Sequence, residues 1–145
     1  MDLVVKSQVG CDFCAIVSGS LAARIVFRDD QTLAFLDRHP VFPGHTLLIP
    51  IDHYETLEDL PNELISPLFS NAKRLTIAVR NALKADGIFL GINNKVSQSV
   101  PHLHIHVVPR RAKDGLRGFF WPRQKYESEE QQTTIQESIK RELSA

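Results

Sequence analysis

Apolar residues alternate with polar ones over several short stretches and then switch to a helical spacing. Residues 24–28 (RIVFR) and 32–37 (TLAFLD) are apolar runs on either side of Asp29 and Asp30, a pattern that predicts a hairpin. Residues 39–44 (HPVFPG) carry turn chemistry, and 45–50 (HTLLIP) reads as a further strand. From Pro61 to Asp86 the period lengthens. Leu64, Leu68, Leu75, Val79 and Leu83, joined by Ile65, Phe69, Ala72 and Ala82, trace one stripe of a long helix. Pro61 suits its start, where a missing N–H is harmless, and Gly87 is its expected stop. Pro67 inside the pattern predicts a later start or a kink. Residues 88–92 (IFLGI) and 103–108 (LHIHVV) read as two more strands. Residues 11–18 (CDFCAIVS) predict a short helix ended by Gly19, and the polar tail from Tyr126 predicts a C-terminal helix.

The sum is about five short strands, one long helix and short terminal helices. Hairpin links and one long crossover favour an α+β fold with an antiparallel sheet. A chain of 145 residues suits a single domain, expected over 1–145 with a core of about 11–110 and an extension over 111–145. A hydrophobic fraction of 43% argues against wholesale disorder. Lys and Arg together number 17, as do Asp and Glu. That balance gives no global attraction to nucleic acid or membrane, so neither is expected as a partner and any anion site must be local. The N-terminal stretch lacks the basic start and apolar run of a secretory signal. No run approaches the roughly 18 apolar residues of a membrane span. The cysteines are Cys11 and Cys14, a CxxC pair that reads as metal-binding or redox-active rather than as a secreted disulfide framework. A cytoplasmic protein is expected.

The most informative segment is 98–109 (QSVPHLHIHVVP), in which His102, His104 and His106 occupy alternate positions. In a strand, alternate side chains share a face. Three imidazoles would then project together while Leu103, Ile105 and Val107 enter the core. Two chemistries use such a row: a three-histidine metal centre and covalent catalysis by a neutral central imidazole, one ring nitrogen fixed as N–H and the other free to attack. The segment alone does not choose between them.

The row resembles the signature of the histidine triad (HIT) family, His-φ-His-φ-His-φ-φ with φ apolar. Here it runs from His102 to Val108 and follows Gln98-Ser99-Val100. Three further blocks share the resemblance: Phe35-Leu36-Asp37, then Pro43 to Pro50 (PGHTLLIP) with His53, and the opening Cys11-x-x-Cys14. Together they cover residues 11–110 and are similar to the Hint and Fhit branches. The resemblance implies an α+β fold with a five-stranded antiparallel sheet, often in a homodimer that joins two sheets. It implies a hydrolase or transferase acting on a nucleoside monophosphoryl group, from a dinucleoside polyphosphate or a nucleoside phosphoramidate. By the same resemblance, His104 is the nucleophile that becomes nucleotidylated. His106 contacts the phosphate and leaving group, and His45 is a supporting histidine. Phe35 and Asp37 match the base and ribose pocket. Asn93, Gln98 and Ser99 match polar groups near the phosphate. The substrate is then a purine nucleotide such as an AMP-containing compound.

Some bacterial relatives bind structural zinc through positions matching Cys11, Cys14, His53 and His102, so zinc is expected there, with no cofactor needed for the chemistry. One departure is Ser97, where many members have glycine. The basic run Pro109-Arg110-Arg111 mildly favours a polyphosphate leaving group. The aromatic run Phe119 to Trp121 would close over the leaving group or cover an interface. Two other readings remain open at this point: a nucleotide-binding regulatory module with little turnover, and a metalloenzyme with zinc on the triad histidines.

Overall fold

The computed structural model describes residues 4–117 and 123–144. The run Phe119–Trp121 lies outside the described residues. Contacts group the chain into two compact units, the first through Asp114 and the second from Gly115.

The first unit holds helix α1 (Asp12–Ser18), strands β1 (Ile25–Arg28), β2 (Thr32–Leu36) and β3 (Thr46–Pro50), helix α2 (Asn62–Leu83), and strands β4 (Gly87–Gly91) and β5 (Ile105–Arg110). The five strands form one sheet in the order β1-β2-β3-β5-β4. Every neighbouring pair is antiparallel. This is the sheet that the sequence pattern and the resemblance predict. The second unit carries α3 (Glu129–Ser144), the expected tail helix.

Period-two alternation sorts the side chains onto two faces. Leu33 and Phe35 of β2, with Leu47 and Ile49 of β3, pack with Phe13, Ile16 and Val17 of α1. Ala34, Leu48, Ile105 and Val107 point the other way and meet Leu68, Ala72, Leu75 and Val79 of α2. One sheet therefore carries a helix on each face. Burying each Leu or Val of this core stabilises the fold by roughly 1.5–3 kcal/mol.

Three local expectations need correction. Helix α2 ends at Leu83, before Gly87: Lys84 takes the left-handed conformation (φ 51°) and its N–H closes back on Arg80 and Asn81. Gly87 instead opens β4. The helix starts at Asn62 and runs through Pro67, because one missing N–H near the helix start is outweighed by packing further along. The last strand begins at Ile105 rather than Leu103. In addition, Ile65, Phe69 and Ala82 of the predicted stripe are exposed, while Asn71 is buried within it.

Candidate active site

The site is built on the α1 face of the sheet, where even-numbered positions of the histidine segment project. Leu103, Ile105 and Val107 are fully buried against α2. His102, His104 and His106 take the opposite face, and their rings form a row: 4.8 Å separates the centroids of His104 and His106. A cavity of about 700 Å³ opens beside them. It is lined by Phe13, Phe35, Asp37, Ser99, His104 and His106, among others.

Each imidazole has a distinct role fixed by its partners. His104 Nδ1–H donates to the His102 carbonyl oxygen at 2.7 Å. Nε2 of His104 is then the nitrogen with the free lone pair. The Val41 N–H donates to His45 Nδ1 at 3.1 Å, so His45 carries its proton on Nε2. That proton is donated to His106 Nδ1 at 2.9 Å. His106 must therefore present an Nε2–H. This Nε2 is the one buried side-chain polar atom without a hydrogen-bond partner among the described residues. A buried donor left unpaired is costly, and His106 is one of the residues that line the cavity.

Burial keeps these rings neutral. It lowers the His104 pKa against the opposing pull of the His102 carbonyl and Asp37. It pushes His106 down to about 4, helped by His104 and His45. His45 is also lowered by burial, although Asp37 lies 3.6 Å from its Nδ1 and acts in the other direction. A neutral imidazole with one free lone pair is a nucleophile, and a neighbouring fixed N–H suits a developing anion.

His102 faces away from this chemistry. Its Nε2–H donates to the Pro50 carbonyl at 2.8 Å, so its Nδ1 lone pair is directed at Cys11 Sγ (3.5 Å) and Cys14 Sγ (3.6 Å). His53 Nδ1 lies 3.3 Å from Cys14 Sγ. The four ligand atoms lie within 4.8 Å of one another, and all four residues are buried. Bonds of about 2.0–2.3 Å in a tetrahedral zinc shell hold ligands roughly 3.3–3.8 Å apart. The donor set fits a closed site, and it draws only His102 from the triad. Asp37, His45 and His106 form a second, less buried group.

The chain matches the HIT domain over residues 18–113. It belongs to the HIT family. An uncharacterised HIT-like protein of Saccharolobus solfataricus is 39% identical over 132 residues, covering 89% of this chain and 94% of that protein. The Arabidopsis thaliana adenylylsulfatase HINT3 is 35% identical, over 75% of this chain and 56% of its own length. The Candida albicans adenosine 5'-monophosphoramidase HNT1 is 28% identical, over 81% of this chain and 82% of its own. Among solved structures, SMU.412c of Streptococcus mutans superposes with a TM-score of 0.86 at 31% identity, covering 99% of this chain and 91% of that one. A zinc-bound histidine triad protein of Mycobacterium smegmatis gives 0.70 at 37% identity, covering 93% and 96%.

The HIT fold thus gathers Phe35, Asp37, Ser99, His104 and His106 around one cavity, with His45 bonded behind them. Asn93 and Gln98 are not among the lining residues. The Gln98 side chain braces its own loop, donating to the Glu55 carbonyl and accepting from the Lys95 N–H. Ser97 adopts φ 60°, the left-handed region that favours the glycine found there in many HIT proteins. Phe13 is a wall residue that sequence reasoning passed over. Its position between the two cysteines is its only sequence signal.

Proposed function

We propose that this protein is a nucleotidyl hydrolase or transferase that works through a covalent intermediate on His104. One observation carries the reading: His104, a neutral imidazole whose Nδ1–H is held by the His102 carbonyl, and His106, whose buried Nε2–H has no partner among the described residues, line one nucleotide-sized cavity together. His104 Nε2 attacks the α-phosphorus of a nucleoside monophosphoryl compound. The P–N bond forms as the bond to the leaving group breaks, and the leaving group departs with the electron pair and takes its proton from solvent. The resulting imidazolium is stabilised through its Nδ1–H by the carbonyl of His102. His106 Nε2–H donates to a non-bridging oxygen as charge builds there. Water, or an acceptor alcohol, then attacks phosphorus from the vacated side. The P–N bond breaks and one proton leaves to solvent, which restores neutral His104.

Phe35 packs the base, Asp37 accepts from the ribose hydroxyls, and Ser99 donates to the phosphate. Asn93 and Gln98 reach the phosphate only if their loop moves. The activities named for the HINT3 and HNT1 relatives favour an adenylyl group on a sulfate or amine leaving group. Cys11, Cys14, His53 and His102 would hold structural zinc, which adds no step to the chemistry. The active form is proposed to be a cytoplasmic homodimer.

The test is trapping. Wild type and His104→Ala are incubated with adenosine 5'-phosphoramidate or diadenosine polyphosphate carrying a labelled α-phosphate, then quenched. Acid-labile label on the wild type alone is the expected result. Label on the variant, or AMP release without any label on rapid quench, would overturn the proposal.

A further inference from the structure

Phe13 touches both halves of the site. Its ring lies 5.1 Å from that of His104 at 85°, 5.9 Å from that of His102 at 65°, and 5.3 Å from that of Phe35 at 73°. It also lines the cavity. These are edge-to-face contacts, which fix ring rotation as well as position. Helix α1, which carries Phe13, has seven residues. A helix so short does not hold itself in water. Its N-terminus is fastened by Cys11, whose Sγ accepts from the Cys14 N–H. Both cysteines belong to the four-residue cluster. Three fastenings of the site therefore share one small structure: the helix, the cluster, and the nucleophile whose Nδ1–H rests on the His102 carbonyl.

We infer that Phe13 is a positioning residue through which a divalent cation on Cys11, Cys14, His53 and His102 and a nucleoside monophosphate in the cavity tighten each other's binding. The inference rests on the proposed function, since it needs a nucleotide to occupy this cavity. The cation fixes α1; α1 fixes the Phe13 ring; the ring fixes one wall of the cavity and the rotation of His104. Coupling between two sites is reciprocal. Nucleotide must then tighten the hold on the cation by the same factor, expected to be roughly fivefold or more.

The experiment uses Zn2+ and AMP, with no turnover. Zinc affinity is measured by competition with a chromophoric chelator, with and without saturating AMP, in wild type and Phe13→Leu. Zinc content and AMP binding are measured first in each protein. In wild type, AMP is expected to tighten zinc binding by that factor, roughly fivefold or more. Phe13→Leu should bind both ligands and show a ratio near one. A wild-type ratio of one with both ligands bound would overturn this inference and leave the proposed function standing, as would a ratio unchanged in Phe13→Leu. Failure of the wild type to bind AMP would instead overturn the proposed function and this inference with it. Failure to bind zinc would overturn the inference and the zinc assignment alone.

Discussion

A single hydrogen-bond chain decides what His106 can do. Val41 N–H, His45 and His106 Nδ1 are linked in order, and the result is an unpaired proton held on His106 Nε2. Replacing His106 by Ala removes that donor. The expected loss in kcat is about 10²–10³-fold, with a smaller change in KM, measured by steady-state release of AMP. The same burial sets a pH dependence. An unfolded histidine binds its proton near 6.5, whereas in the fold His106 does so near 4. Between those values the unfolded state holds more protons. The stability linked to this group is therefore complete above about pH 6.5 and is lost as pH falls towards 4. Urea midpoints at pH 7.5 and 5 should show the fall, and His106→Gln should reduce it. A His106 ring titrating near 6.5 by NMR would contradict a buried neutral imidazole.

At the scale of elements, α2 and the loops around it show where pattern and structure part. The helical stripe was legible because Leu68, Ala72, Leu75 and Val79 recur at the right spacing. Asn71 was not, since a polar residue within the stripe looks like an interruption. It is buried, and its Nδ2 donates to Asp29 Oδ2 and Thr32 Oγ1, each at 2.9 Å, which ties the β1–β2 turn to the helix. Asn71→Ala should cost about 1–3 kcal/mol, measured by urea unfolding, because the buried Thr32 hydroxyl loses a donor. Ser97 is a second case. A non-glycine residue in the left-handed region is strained by about 1–2 kcal/mol, of which glycine returns part as chain entropy. Ser97→Gly should raise stability by up to about 1 kcal/mol, read as a higher melting temperature. The end of α2 was misjudged because Gly87 advertises a stop that Lys84 supplies first.

For the whole molecule, the order β1-β2-β3-β5-β4 leaves β1 and β4 as edges. Among the described residues β4 pairs only with β5, and Leu90 on it is exposed. A sheet edge can take a further strand, and β4 is the expected seam of the proposed homodimer. Leu90→Lys should shift the protein towards monomer in sedimentation velocity, and a wild-type monomer would dispose of the seam. The architecture and the shared face of His104 and His106 were readable from sequence because both rest on period-two alternation within single segments; the role proposed for His104 rests on the family resemblance. The division of labour among the histidines was not. Cys11 and His102 meet across 91 positions, and His45 and His106 across 61. Local pattern does not encode such meetings, and the family resemblance supplied them only as matches.

Alternation along residues 102–107 has a consequence for how this gene can change. Of the even positions, 104 and 106 belong to the cavity and 102 to the cysteine cluster, and odd positions belong to the interior beneath α2. Deleting or inserting a single codon there would exchange the two sets at once, driving imidazoles into oil and aliphatic side chains into the substrate's path. The segment can therefore drift by substitution at its odd positions, among side chains of similar volume. Its length has no such latitude, and a library of single-residue insertions and deletions should return no active clone across it.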